Sequence, residues 1–215
     1  MIGDKLVIKA EHTERANDIF LFVKDKFKQP YVISIAGESG SGKSETAYEI
    51  HRILFQHSIN AAILQQDDYF VFPPKTNRLM RMNNEDQVGL YEVKLDFLDS
   101  NIRSFKRRES PIYKPLVDFD KDLVTHEEMD LSNVEILIVE GTYTSILEFT
   151  DLKIFLEGDF NDTLNNRKER NREKSDRFIE EILQIEHRII SEHSQLADIR
   201  ISSDFKKMVI EAEDN

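Results

Sequence analysis

Hydrophobic positions along the chain change period several times, and each change predicts an element. Tyr31-Val32-Ile33-Ser34-Ile35-Ala36, Ala61-Ala62-Ile63-Leu64-Gln65 and Val134-Glu135-Ile136-Leu137-Ile138-Val139-Glu140-Gly141 are nearly unbroken apolar runs. Short runs without alternation predict strands covered on both faces, as in a parallel sheet. Leu152-Lys153-Ile154-Phe155-Leu156 and residues 197–202 read the same way. Between these runs the period becomes helical: Ala16, Ile19, Phe20, Val23 and Phe27, then Ala47, Ile50, Ile53 and Leu54. Val93, Leu95, Phe97, Leu98, Ile102 and Phe105 predict a helix over 92–105, and Ile179, Ile182, Leu183, Ile185, Ile189 and Ile190 predict a later one. Strands alternating with helices predict an α/β fold, a parallel β-sheet flanked by helices.

The remaining stretches are less regular. Leu6-Val7-Ile8 reads as a short edge strand, with Thr13 a candidate cap for the helix behind it. Residues 73–84 read as a polar loop, long enough to serve as a lid. Residues 111–120 and 121–129 suggest a hairpin-like accessory β element, and 204–215 a polar tail. The reading is one domain over 1–215: an N-terminal extension over 1–29, a core over 31–202 and a tail over 203–215. Neither an internal repeat nor an interdomain linker is visible.

Chemistry enters directly behind the first long strand. Gly37-Glu38-Ser39-Gly40-Ser41-Gly42-Lys43-Ser44 fits G-x-x-x-x-G-K-[ST] and opens into a helical pattern. In such a loop the glycines let backbone N–H groups curl round a phosphate, Lys43 reaches the outer phosphates, and Ser44 offers a hydroxyl to Mg²⁺. The helix that follows presents its positive dipole end to the same anion. Strand, loop and helix in this order predict nucleotide binding.

Acids stand at the ends of the next two core strands. Asp67 and Asp68 follow the second strand, where the carboxyl ends of a parallel sheet line a ligand crevice, and either is placed to act as a base. Glu140 ends the strand before Gly141, where an acid beside a phosphate loop can hold Mg²⁺ or its water shell. Arg167, Lys168, Arg170 and Arg172 follow a further strand in quick succession and suit an Arg-rich lid that clamps phosphoryl oxygens. His187 and His193 lie on the late helix without a third ligand and read as structural.

Composition narrows the partners. With 29 basic and 41 acidic residues among 215, the net charge of -12 argues against a nucleic-acid surface, which needs Lys and Arg to neutralise phosphates. The chain has no cysteine, so thiol catalysis, disulfides and Cys-based zinc sites are excluded. Neither a leader pattern nor an apolar run of membrane length is present, and the expectation is a soluble, cytoplasmic protein without a membrane partner. A homo-oligomer is compatible with the sequence. Asp86-Gln87-Val88-Gly89 fits the D-x-x-G of nucleotide switches, yet it closes no apolar strand and no N-K-x-D accompanies it.

Together, the loop at 37–44, Gln66-Asp67-Asp68-Tyr69-Phe70, Ile138-Val139-Glu140-Gly141, the 167–172 cluster and Leu196-Ala197-Asp198-Ile199 resemble the uridine kinase and phosphoribulokinase-like family of P-loop kinases over roughly residues 31–202. The resemblance implies the P-loop NTPase fold, ATP as donor, Mg²⁺, and a small-molecule hydroxyl, most simply a nucleoside's, as acceptor. It gives Asp67 the role of proton acceptor and places Ser44, Glu140 and Asp67 around the magnesium. Lys43, Arg167 and Arg170 fall on the family's phosphate-handling positions. Tyr69 and Phe70 match an aromatic pair near the acceptor, and Tyr113 a base-stacking tyrosine. The family's Phe-Asp-His-Pro-like nucleoside segment corresponds to Gly89-Leu90-Tyr91-Glu92 here, and Asp118 stands near its histidine. A kinase for a sugar or vitamin alcohol carries the same donor-site signature.

Overall fold

The computed structural model describes residues 2, 6–159, 161–164, 166, 167 and 177–211. Its centre is a six-stranded sheet built from β1 (Tyr31–Gly37), β2 (Ala61–Gln65), β5 (Ile136–Glu140), β6 (Leu152–Leu156), β7 (Ile199–Ile201) and β8 (Met208–Ile210). The order is β2-β5-β1-β6-β7-β8, with only β8 antiparallel to its neighbour. β1 is therefore central, with the chain leaving it toward β2 on one side and later crossing to β6 on the other. In open α/β sheets ligands bind outside the carboxyl ends of the strands at such a reversal.

Strand periodicity explains the two cores. Ile33 and Ile35 of β1, Ile136 and Ile138 of β5, and Ile154 and Leu156 of β6 face α1 (Ala10–Val23) and α2 (Lys43–Gln56). Val32, Leu137, Val139 and Leu64 face the opposite way, against Leu98, Ile102 and Phe105 of α4 (Leu95–Lys106) and Ile190 of α5 (Arg177–Ile190). Both faces are covered, as the unbroken apolar runs require.

The accessory element is an antiparallel hairpin, β3 (Ile112–Asp118) with β4 (Leu123–Met129), separate from the main sheet. Four expectations change. Residues 6–8 form no strand; Ile2 instead bridges to Asp118 beside β3. Residues 73–84 hold a helix, α3 (Pro74–Asn83), because Pro at the first helical position lacks only an N–H that has no intrahelical partner anyway. The tail contributes β8. Helix α1 starts earlier than Thr13: the Lys9 amide donates to Nδ1 of His12 at 3.1 Å, while the Thr13 hydroxyl donates to Glu49 of α2 at 2.6 Å. No helix among the described residues is long and apolar enough to cross a membrane.

Candidate active site

The loop at 37–44 turns over the carboxyl end of β1 into α2. Gly42, with φ of 93°, is the N-cap of α2 in the left-handed region, which glycine enters without a side-chain clash. A Cβ there would stand 2.9 Å from Cζ of Phe205 and 3.0 Å from Nε2 of His12. The first amides of α2 have no intrahelical carbonyl to meet and are positioned for an anion. Lys43 is nearly buried, and its Nζ donates to the Glu38 carbonyl at 2.7 Å, so the ammonium lies across the mouth of the loop.

Glu140 ends β5 between Gln65 of β2 and Ile35 of β1. One carboxylate oxygen accepts from the Ser44 hydroxyl at 3.1 Å and from Nε2 of Gln65 at 3.2 Å. Burial, and then the nearby Asp67 carboxylate, raise the Glu140 pKa; Lys43 opposes them. A buried carboxylate, a second carboxylate and a hydroxyl are hard oxygen donors that fit Mg²⁺. Among the described residues no three His, Asp or Glu side chains cluster tightly enough to hold a metal unaided.

The two adjacent aspartates separate cleanly. Asp68 is buried, accepts from Nζ of Lys114 at 3.0 Å and from the Val117 amide at 3.0 Å, and so fastens the hairpin to the end of β2. Asp67 is partly exposed and faces Glu140. Of the two, Asp67 is the one beside Glu140.

The lid side is anchored to the same loop. Asn166 donates to the Gly40 carbonyl at 2.9 Å and accepts from Nζ of Lys9 at 2.9 Å. Arg167 packs with its Cγ 2.7 Å from where a Gly40 Cβ would stand and bonds to the Thr163 hydroxyl. Burial lowers the Arg167 pKa, against the pull of Glu38 and Glu186. Arg170 lies outside the described residues. His187 of α5, read from sequence as structural, pairs through Nδ1 with Glu38 of the loop, whose carboxyl burial pushes up.

A second polar cluster was not visible in the sequence. Arg81 of α3 donates to both oxygens of Glu92, at 2.6 and 2.5 Å, and to Glu186 of α5 at 2.9 Å. Burial opposes the Arg81 charge, but the two carboxylates outweigh it and raise its pKa. Glu186 also lies within electrostatic reach of Lys43. The available signal is an acid on an apolar stripe: Glu186 stands four residues from both Ile182 and Ile190, which are core residues.

The aromatic residues named by resemblance differ in exposure, although Asn101 donates to both the Tyr69 hydroxyl and the Tyr113 carbonyl. Tyr69 is fully buried with its hydroxyl accepting from Asn101 at 2.8 Å, leaving it no surface for an acceptor in this conformation. Phe70 is partly exposed and bridges to Val93. Tyr113 is more than half exposed on the hairpin, where its ring stacks on His126 with centroids 5.2 Å apart. Asp86-Gln87 forms part of a short turn rather than a strand end.

A phosphate loop between a central parallel strand and a helix, with carboxylates at the ends of neighbouring strands, defines a P-loop kinase. The model of the Phosphoribulokinase / Uridine kinase family matches residues 32–196, and the chain belongs to that family. It is 29% identical over 161 residues to a uridine kinase of Ureaplasma urealyticum, covering 73% of this chain and 76% of that one. Among solved structures, a possible uridine kinase from Bacillus stearothermophilus superposes with a TM-score of 0.60 at 19% identity, covering 87% of this chain and 97% of the other. Phosphoribulokinase from Rhodobacter spheroides gives a TM-score of 0.65 at 15% identity, with 82% and 71% covered. The protein is thus an ATP-dependent phosphotransferase with a hydroxyl acceptor.

Proposed function

We propose that the chain carries the γ-phosphoryl group of ATP to a primary hydroxyl of a nucleoside, with uridine and cytidine the first acceptors to try. The observation that carries this reading is the division of labour between the aspartates: Asp68 is committed to Lys114 and Val117, while Asp67 stands partly exposed beside Glu140. Asp67 orients the acceptor hydroxyl and takes its proton as the oxygen bonds to the γ-phosphorus. The bond from that phosphorus to the β–γ bridging oxygen breaks, and ADP leaves. Lys43 and the loop amides hold the β- and γ-phosphates, and Arg167, joined by Arg170 in this reading, offsets the charge on the moving group. Ser44, Glu140 and Asp67 would hold Mg²⁺, which when bound neutralises phosphate charge. The uridine kinase relative supports the acceptor class. Dependence on ATP fits a cytoplasmic enzyme.

The test is an ATP-consumption screen across nucleosides, pentoses and vitamin alcohols, each with and without Mg²⁺. Turnover on uridine or cytidine that needs Mg²⁺ is the expected result. Turnover confined to a non-nucleoside alcohol would reassign the acceptor while leaving the transfer chemistry in place.

A further inference from the structure

Residues 7–12 lie upstream of the span shared with the family, yet Val7, Lys9 and His12 line one cleft with Gly40 and Gly42 of the phosphate loop. The Val7 amide donates to Oε1 of Glu45, in the first turn of α2, at 3.2 Å. His12 is buried, its Nδ1 accepts from the Lys9 amide, and its ring is set edge-on to Phe205. Its Nε2 stands 3.0 Å from where a Cβ on Gly42 would be. The backbone at Lys9 is thus pinned beside the loop, and its side chain reaches Asn166 from a defined root.

From Lys9 a continuous chain of hydrogen bonds enters the loop. Nζ of Lys9 donates to Oδ1 of Asn166 at 2.9 Å, and Nδ2 of Asn166 donates to the Gly40 carbonyl at 2.9 Å. An ammonium only donates and a carbonyl only accepts, so these two partners fix which way the Asn166 amide faces. A peptide unit is planar, and in its trans form the carbonyl and N–H point opposite ways. The unit joining Gly40 to Ser41 is held at both ends: its carbonyl by Asn166, its N–H by the Glu38 carbonyl at 3.1 Å. That Glu38 carbonyl is also the acceptor for Nζ of Lys43 at 2.7 Å. Lys9 is therefore linked to the loop lysine without a gap.

Glycine gives this bracing its value. Gly40 sits at φ of 81°, and glycine loses more conformational freedom on ordering than any other residue. A loop whose peptide planes are ordered in folding binds an anion more tightly than one ordered by the anion itself.

We propose that residues 7–12 form a strap on the donor loop and that Lys9, acting through Asn166, is a positioning residue for ATP binding. This rests on the donor half of the kinase reading above and is independent of the acceptor. Asn166 directly precedes Arg167, so the same contact joins the lid side and the loop into one unit.

The test is calorimetric titration of the full chain with ATP, which needs no acceptor. Lys9→Met keeps the aliphatic stem and removes the ammonium, and the Kd for ATP should rise about three- to tenfold. Lys9→Arg keeps a donor and should stay within about twofold of wild type. Asn166→Ala should match Lys9→Met, and the double variant should bind about as well as either single one, because both break the same chain. Thr13→Val removes a bond from α1 to Glu49, farther along α2, and should lower the melting midpoint while leaving the Kd for ATP unchanged. A Kd for ATP that Lys9→Met leaves unmoved, or that Thr13→Val raises equally, overturns the strap while the kinase reading stands. A wild-type chain that binds no ATP removes both.

Discussion

The donor and acceptor halves of the crevice are built by different means. On the donor side, eight consecutive residues from Gly37 to Ser44 supply backbone amides, a glycine hinge, an ammonium and a hydroxyl. For the acceptor side, the proposed base Asp67 and the Arg81–Glu92–Glu186 cluster are contributed through side chains by four separate segments. Phosphate is the same ligand in every nucleotide, and a loop of amides suffices for it. An acceptor must be told apart from other alcohols, which calls for side chains converging from several elements. A local motif therefore specifies the donor half, and tertiary packing specifies the acceptor half.

The sharpest way to break this contrast is Lys43→Ala. It should cut kcat/KM by about a thousandfold or more while leaving circular dichroism and the melting curve unchanged. Next in size, Asp67→Asn should lower kcat by about a hundred- to thousandfold with the KM for ATP nearly constant. Turnover close to wild type would show that the base lies elsewhere. Asp68→Asn should do the opposite, keeping most of kcat but lowering stability by about 2–3 kcal/mol in urea unfolding, because Lys114 loses its buried partner. If Asp68→Asn proves the inactive variant and Asp67→Asn the unstable one, the assignments must be exchanged.

The smallest effect concerns the donor scaffold. A hydrogen bond from Arg52 holds the Glu49 carboxyl below its ordinary range, against the effect of burial, and Thr13 of α1 assists. Because the folded value is the lower one, this contact stabilises the protein above the unfolded pKa, and the benefit is lost as pH falls through the folded value. Glu49→Gln should therefore melt about 1–3 °C below wild type at pH 7, with the gap closing below about pH 4. A gap that widens in acid would reverse the sign assigned to this contact.

What the sequence revealed follows the same division. Unbroken apolar runs marked β1, β5 and β6, where a strand buried on both faces leaves no alternation to confuse with a helix, and also β2, an edge strand whose burial alternates. Glycines and lysine at fixed spacing marked the loop. The short β7 was placed within a few residues, whereas β8, three residues in a polar stretch, gave no pattern to read. α3 was missed because its only buried residue is Asn77, so no apolar stripe announces it. Arg81, Glu92 and Glu186 lie up to 105 positions apart and meet only through packing. Tyr69 and Tyr113 carried an expectation by resemblance, but Asn101 and His126 respectively take their hydroxyl and ring face.

Helix α1 lies wholly upstream of the span shared with the family, yet Ala16, Ile19, Phe20 and Val23 are sealed against α2 and the sheet. A fragment trimmed at residue 31 to the recognisable kinase would strip that cover, at about 2 kcal/mol for each large side chain, and would leave a greasy flank open to self-association. For this enzyme the boundary drawn by ancestry and the smallest piece able to stand in water are different lines.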